Sequence, residues 1–247
     1  MKTGKTGIGE KMDIEEYRNR EKARLESNRK RLEDDGVEFV DIYSAYIDDT
    51  VVIEAGALIG PNVTLQGDTV IRSGAHIGQS SVIRNSEIGK GTDVEASYIY
   101  DSKVGENTHV GPFAYIRPGS TIGDGCKVGD FVEVKNSTMG DGSKSSHLTY
   151  IGDADVGSNV NLGCGVVFVN YDGSRKYRST VGDDSFVGCN SNLIAPVHLG
   201  KGVYVAAGTT VTEDVDDDSL CIGRSRQTVK EGWVKKRKIL KKDLKKD

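Results

Sequence analysis

The residue best suited to proton transfer is His147, one of only four histidines in the sequence. An imidazole has an unperturbed pKa near ~6.5, so its neutral form can accept a proton at neutral pH. Glu133 and Lys135 lie two residues apart on a predicted strand, so their side chains share one face. A carboxylate there could orient the histidine, as the third member of a catalytic triad does. This grouping predicts a general base with a carboxylate partner.

The remaining histidines and the cysteines do not predict a metal site. His76, His109 and His198 are dispersed along the sequence. The cysteines lack Cys-x-x-Cys spacing and follow no signal-like apolar run; they are Cys126, Cys164, Cys189 and Cys221. We therefore expect no metal, and a reduced, cytoplasmic protein without a membrane-spanning segment.

Composition points to a repetitive fold. Aromatic residues make up only 6% of the chain and glycines number 31, so the core must come from small branched residues used many times. The net charge of -4 argues against a general nucleic-acid binder. The Lys-rich C-terminus is interpreted as a solvated tail.

A repeat with a period of six residues dominates the sequence. Aliphatic residues recur at Ile53, Ile59, Leu65, Ile71, Ile77 and Ile83, then at Ile88 and Val94, then at Val104, Val110, Ile116, Ile122, Val128 and Val134, and finally at Val181, Val187, Leu193, Leu199, Val205 and Val211. A period of six fits neither a helix nor a hairpin meander. It predicts short strands joined by tight corners, three to a coil, with the aliphatic side chain pointing inward and glycine serving the corner.

Two arms flank the repeats. We expect an N-terminal helical arm over residues 1–45, whose helix stops at Gly36. The repeats then span residues 46–225, followed by a C-terminal arm and basic tail over residues 226–247. In a trimer, such arms lie across neighbouring subunits.

The period fails once, between Phe168 and Val181, where residues 170–177 are inserted. Because an insertion that leaves a rigid coil does not help to pack its core, we expect residues 170–177 to form a functional loop.

The six-residue period resembles that of the hexapeptide-repeat family, over roughly 170 residues. Members of that family form left-handed parallel β-helices, are mostly acyltransferases and work as trimers. The resemblance implies an all-β fold, a left-handed parallel β-helix between the two arms, and a homotrimer.

Four motifs narrow the resemblance. They are Arg117-Pro118-Gly119, Val132-Glu133-Val134-Lys135, His147-Leu148-Thr149-Tyr150-Ile151-Gly152-Asp153 and Asn170-Tyr171-Asp172-Gly173. In this order they resemble the acetyltransferase half of the bifunctional GlmU family. The resemblance implies transfer of acetyl from acetyl-CoA to the amine of glucosamine-1-phosphate, a step towards UDP-N-acetylglucosamine and cell-wall precursors. No Gly-rich nucleotide-binding segment precedes the repeats, so uridylyl transfer is not expected.

The resemblance also implies roles for single residues. His147 is the catalytic base, with Glu133 as a second catalytic residue. The residues for the acceptor are Arg117 and Lys135 around the phosphate, with Tyr150 and Asn161 around the sugar. The residues for acetyl-CoA are Cys164, Asn170, Tyr171, Cys189, Ala207 and Arg224.

We expect a direct transfer without a metal. His147 removes a proton from the sugar amine as the amine attacks the thioester, and backbone N–H groups near Asn170 stabilise the oxyanion. Cys164 and Cys189 are interpreted as space-filling residues and not as acyl carriers, so both substrates are bound together.

Other functions stay open on the sequence alone. A γ-type carbonic anhydrase would need three histidines around zinc, and the clustered histidines of that family are absent. A hexapeptide acetyltransferase acting on serine, maltose or another amino sugar would keep the coil and change the acceptor residues. A third possibility is a non-catalytic trimeric partner of a separate uridylyltransferase. The sequence also leaves open whether the chain stands alone or is a piece of a bifunctional protein.

Overall fold

The computed structural model describes residues 13–237, so most of the predicted basic tail lies outside the described residues. Helix α1 (Ile14–Glu33) is followed by a parallel β-solenoid and then by a short helix, α2 (Trp233–Arg237). The all-β fold with a parallel β-helix is confirmed. The first strand already lies at Glu38–Phe39, within the range assigned to the N-terminal arm.

The strands form three parallel sheets, which we name faces A, B and C. Face A contains β1 (Glu38–Phe39), β4 (Leu58–Ile59), β7 (His76–Ile77), β10 (Asp93–Val94), β13 (His109–Val110), β16 (Lys127–Asp130), β19 (Lys144–His147), β22 (Asn161–Leu162), β25 (Phe186–Val187), β28 (Tyr204–Val205) and β30 (Leu220–Cys221). Face B contains β2 (Tyr46–Ile47), β5 (Thr64–Gln66), β8 (Val82–Arg84), β11 (Tyr98–Tyr100), β14 (Tyr115–Ile116), β17 (Glu133–Lys135), β20 (Tyr150–Gly152), β23 (Val167–Val169), β26 (Asn192–Ile194) and β29 (Thr210–Val211). Face C contains β3 (Val52–Ile53), β6 (Val70–Ile71), β9 (Glu87–Ile88), β12 (Lys103–Val104), β15 (Thr121–Ile122), β18 (Thr138–Met139), β21 (Ala154–Val156), β24 (Ser179–Val181) and β27 (His198–Leu199).

The aliphatic residues of the six-residue period fill the interior. Every predicted position from Ile59 to Val211 is buried, and Ile53 in the first coils is partly buried against the same core. Burying one such side chain contributes about 1.5–3 kcal/mol, so the repeated column is the main source of stability.

Polar side chains connect the corners of successive coils by hydrogen bonds. Several corners place Asn or Asp at positive φ, which these residues tolerate better than most; examples are Asn85, Asp101, Asn136 and Asp153. At another corner Asp124 accepts a hydrogen bond from the Glu106 amide at 2.7 Å, and Asp141 accepts one from the Asp124 amide at 2.9 Å. Successive coils therefore stack with little freedom to slip.

Helix α1 docks on the first coil through polar contacts. The side chain of Asp13 caps its N-terminus, and the chain then turns at Gly36 with a φ of 71°. The buried Asn28 donates from Nδ2 to the carbonyl oxygens of Ile42 and Ala45 at 2.9 and 3.1 Å. Arg31 donates to the Asp48 carbonyl at 3.1 Å. The apolar Ile14, Tyr17 and Leu32 are instead exposed.

Replacing Asn28 by Ala should loosen this helix without disturbing the central coils. The substitution removes the Asn28 donor from the Ile42 carbonyl, which costs about 1–3 kcal/mol, whereas the Ala45 carbonyl still accepts from Arg24 Nη1 at 2.6 Å. We expect faster hydrogen–deuterium exchange in residues 14–33 and unchanged exchange in the central coils, whereas the exposed Arg29→Ala should leave both unchanged. Full protection of the helix in Asn28→Ala would contradict this docking mode.

Candidate active site

His147 stands at the end of β19 on face A, just before the corner that leads to face B. Its Nδ1 lies 2.6 Å from Oδ1 of Asp130, which ends β16 and is its register partner one coil earlier. The hydrogen bond to His147 lowers the pKa of the Asp130 carboxyl group. An ionised carboxylate can only accept, so Nδ1 carries the proton and Nε2 keeps the lone pair that a general base needs.

Glu133 is not the partner of His147, which corrects the orienting role predicted for this carboxylate. Its Oε1 accepts a hydrogen bond from Nη1 of Arg117 at 2.6 Å. The physical reason is the corner: Glu133 lies on β17 of face B, whereas His147 lies on face A. Asp130, three residues before Glu133, is the carboxylate that still lies on the histidine's face.

Three cationic side chains meet on face B. Arg117 follows β14, and its amide donates to the Val134 carbonyl at 2.8 Å, which sets it one coil before Lys135 at the end of β17. Lys176 reaches the same place from the insertion. Close contact with the Lys135 amine and the charge of that amine lower the pKa of Lys176, burial and Arg117 lower it further, and Asp153 opposes the shift. Crowded cations of this kind form a site for an anion.

The insertion returns Lys176 to face B through a small hairpin. Tyr171 and Lys176 form an antiparallel bridge, and the Tyr177 amide donates to the Asn170 carbonyl at 2.9 Å. At the tip, Asp172 accepts hydrogen bonds from the amides of Ser174 and Arg175 at 2.7 and 2.6 Å. The excursion predicted from the broken period is thus an ordered turn.

Asp153 is the buried centre of the cluster. Burial would raise its pKa, but hydrogen bonds from Asn136 and Asn170 and the charge of Lys135 outweigh burial and lower it. The Asn136 Nδ2 atom donates to Oδ1 at 2.6 Å, and the Lys135 Nζ atom lies 3.5 Å from Oδ2. Asp153 therefore stays ionised and fixes the Lys135 ammonium in place.

Tyr150 lies flat against face B because residue 152 is glycine. A Cβ atom at Gly152 would clash with the phenol of Tyr150. The Tyr150 hydroxyl accepts a hydrogen bond from Asn170 Nδ2 at 3.4 Å, and the same amide donates to Asp153. The side chain of Asn170, predicted as an acetyl-CoA residue, thus contacts Tyr150, a predicted acceptor residue.

The predicted site residues divide between two faces. Arg117, Lys135 and Tyr150 lie together on face B, while His147 and Asn161 lie on face A. Asn161 is exposed on β22 and is the register partner of Lys144 and Phe186. Only Leu148 and Thr149 lie between His147 and Tyr150, so the two groups adjoin across one corner.

Cys164, Cys189 and Ala207 continue the column of His147 along this corner. The Cys164 carbonyl accepts from the Asn190 amide, and the Cys189 carbonyl accepts from the Gly208 amide, both at 2.8 Å. The thiols of Cys164 and Cys189 are not in a disulfide, and Cys189 and Ala207 are exposed. Arg224 is exposed beside Gly208, and Tyr171 is exposed on the hairpin. These residues line an open edge that runs from His147 towards the C-terminal coils.

Within residues 13–237, no group of three or more His, Cys, Asp or Glu side chains could hold a metal ion. Over the same described range, no helix is long and apolar enough to cross a membrane.

Three residues of the site were not predicted for it: Asp130, Asp153 and Lys176. Asp130 lies one coil before His147, and Asp153 lies one coil after Lys135, so the repeat period could have predicted both positions. Lys176 lies in the insertion, where no period exists to place it.

The sequence matches family models and known proteins. The model described as bacterial transferase hexapeptide (six repeats) matches residues 101–136 and 178–213, and the model of the GMPPB C-terminal domain matches residues 42–111. The bifunctional protein GlmU of Clostridioides difficile is 57% identical over 202 residues, covering 82% of this chain and 44% of that protein. The bifunctional protein GlmU of Clostridium botulinum (strain Langeland) is 53% identical over 207 residues, covering 84% of this chain and 45% of that protein.

Solved structures share the fold. A UDP-N-acetylglucosamine acyltransferase aligns with a TM-score of 0.50 at 16% identity, covering 75% of this chain and 71% of that one. The chain spans less than half the length of the GlmU proteins cited above. From its period, its coils and these similarities, the chain belongs to the hexapeptide-repeat transferase family and matches the repeat region of GlmU proteins.

Proposed function

We propose that the chain transfers acetyl from acetyl-CoA to the amine of glucosamine-1-phosphate. The observation that carries this proposal is the corner site, where a His–Asp pair on face A adjoins a cationic cluster on face B. A base and an anion site on the two sides of one corner suit an acceptor that carries both an amine and a phosphate. The relatives named GlmU agree with this assignment.

The acceptor binds by its phosphate on face B. Arg117 offers a planar fork of N–H donors, while Lys135 and Lys176 supply mobile ammonium groups. The ion pairs of Arg117 with Glu133 and of Lys135 with Asp153 hold two of these cations ready before the phosphate arrives. Tyr150 supplies a hydroxyl beside the sugar, and Asn161 an amide beyond the corner.

Proton removal is the task of His147. The amine attacks the thioester carbonyl and loses its proton to Nε2, while Asp130 stabilises the resulting imidazolium. The C–S bond then breaks, and coenzyme A leaves as the thiol, with the imidazolium returning the proton. The side chain of His147 is 57% exposed, so Asp130 orients the ring in a solvent-exposed site. Solvent screens the charge pair there, so the pair stabilises the imidazolium less than the pair of a buried triad does. Glu133 lies on the acceptor side, where its ion pair with Arg117 holds the guanidinium in position for the phosphate.

Acetyl-CoA binds along the open edge formed by Cys164, Cys189 and Ala207. Small residues there let the thioester approach His147 closely, and Arg224 meets the phosphates of coenzyme A. Asn170 and Tyr171 join this site from the hairpin, where Asn170 borders the acceptor side through its hydrogen bonds to Tyr150 and Asp153.

A homotrimer completes the proposed assembly. Phe113, Phe131 and Leu148 form an apolar ridge along one corner; they are 60%, 58% and 58% exposed. The rings of Phe113 and Phe131 stack with centroids 5.6 Å apart. Such a ridge suits burial between subunits.

We also expect a cytoplasmic location, because four free thiols suit a reducing compartment.

The direct test is an acetyl-transfer assay that follows thiol release from acetyl-CoA with glucosamine-1-phosphate, glucosamine or serine as acceptor. We expect release only with glucosamine-1-phosphate, and a loss of kcat of roughly 10²–10⁴-fold in His147→Ala. His109→Ala is a matched control, because His109 also pairs with a face A aspartate, Asp93, at 3.2 Å. Release that survives in His147→Ala, or that prefers serine, would contradict the proposal.

Asp130→Asn should change the pH dependence of acetyl transfer. The amide can still accept from Nδ1 but carries no charge, so the imidazolium formed during transfer loses its stabilisation. We expect the acidic limb of the pH–rate profile to move to lower pH, and kcat to fall roughly tenfold to a hundredfold, less than in a buried triad. An unchanged profile would remove Asp130 from the mechanism.

Lys176→Met should weaken acceptor binding while sparing the chemical step. Removing one cation from the phosphate site should raise KM for glucosamine-1-phosphate at least about tenfold, with kcat little changed. Because the pKa of Lys176 is lowered, wild-type affinity should also fall at an alkaline pH below the ordinary lysine range. The exposed neighbour Arg175→Met serves as the control, and an equal effect of both substitutions would argue against a specific phosphate contact.

A further inference from the structure

Face B carries a concave group of aromatic rings immediately before the phosphate site. Tyr98, Tyr100 and Tyr115 stand edge to face, with ring centroids 5.8 to 6.3 Å apart. With Ala96, Phe113 and Ala114 they line a mostly apolar pocket of about 450 Å³. We call this group the tyrosine pocket.

The interior of the β-helix does not require these rings. They alternate along β11 and β14 with Ile99 and Ile116, which fill the core, so the tyrosines point outward. Tyr98 is 48% exposed and Tyr115 is 37% exposed. Large rings are scarce in this chain, at 6% of residues including Trp, so three tyrosines converging on one outer patch form an unusual surface.

Register connects the tyrosine pocket with the phosphate site. Tyr98 pairs with Tyr115, Tyr115 pairs with Glu133, and Glu133 pairs with Tyr150. Adjacent strands lie about 4.8 Å apart, so the pocket begins one coil before the cationic cluster. The Arg117 guanidinium lies 5.8 Å from the ring centre of Tyr115 while pairing with Glu133, so this one side chain borders both places.

A second guanidinium bounds the other side of the pocket. The Arg84 guanidinium lies over the Tyr100 ring at 4.5 Å from its centre. The cations at both margins suit a ligand with negative charge, and the ring faces between them suit a flat aromatic group. The open edge assigned to acetyl-CoA runs the other way, towards the C-terminal coils, so the two ligands do not compete for this surface.

We propose that the tyrosine pocket holds the base of a nucleoside diphosphate sugar whose sugar phosphate occupies the acceptor site. This inference rests on the proposed function, because it takes the cationic cluster as a sugar-phosphate site. The product of acetyl transfer keeps its phosphate, and the class of reaction that activates a sugar phosphate joins it to a nucleotide. A compound formed in that way carries the same sugar phosphate with a base attached, and it inhibits acetyl transfer by competing with glucosamine-1-phosphate.

The test is isothermal titration calorimetry without acetyl-CoA, comparing UDP-N-acetylglucosamine with N-acetylglucosamine-1-phosphate. We expect the nucleotide sugar to bind at least about tenfold more tightly, as one stacked base contributes. Tyr98→Ala should remove this difference and leave the affinity for the sugar phosphate unchanged, whereas Tyr98→Phe should keep it. Tyr43→Ala removes an exposed tyrosine of the first coils and is the matched control.

Three results would overturn the inference. The first is equal binding of the two compounds, and the second is a difference in affinity that persists in Tyr98→Ala. The third is a lower sedimentation coefficient of Tyr98→Ala, which would make the tyrosines a contact between subunits. If thiol release requires glucosamine-1-phosphate but the nucleotide brings no gain, the tyrosine inference alone is wrong. If neither compound binds and the assay is blank, the proposed function fails with it.

Discussion

The hydrogen-bonded register between successive coils is the constraint on which the site depends. Each strand of two to four residues is held only by its neighbours one coil before and after it, so an outward side chain stands over its register partner in the next coil, as Asp130 and His147 or Tyr115 and Glu133 do. The rigid column of branched aliphatic side chains keeps the coils stacked in this register. The protein thereby builds a precise cluster from residues distant in sequence, with no helix in the site.

The corner then divides the chemistry between two environments. On face A, His147 is open to solvent and paired with Asp130, which suits a group that must exchange protons. On face B, Lys135 is held ready by its pairing with the buried Asp153, which suits a group that must hold a fixed anion. Gly152 has no side chain, so the phenol of Tyr150 can lie across this residue and reach Asn170.

Most of the fold could be predicted from the sequence because its period is local and repeated many times. The aliphatic positions predicted from the period are buried or partly buried, and helix α1 ends at Glu33, close to the predicted stop at Gly36. The pairing of Glu133 was predicted wrongly, because alternation along a strand gives the face of a side chain but not the place where the chain turns to the next sheet. Counting back one coil from His147 would have found Asp130. Lys176 could not be placed in this way, since the insertion lengthens its coil to 25 residues, from Leu162 to Val187, and follows its own turn geometry.

The most direct test of a site that spans the corner is a crystal structure of the protein with glucosamine-1-phosphate and free coenzyme A, a pair that cannot react. The account predicts the phosphate within hydrogen-bond distance of Arg117, Lys135 and Lys176, and the sugar amine facing Nε2 of His147. A phosphate bound elsewhere, for example on the stacked Lys127 and Lys144 of face A, or an amine directed away from His147, would contradict it.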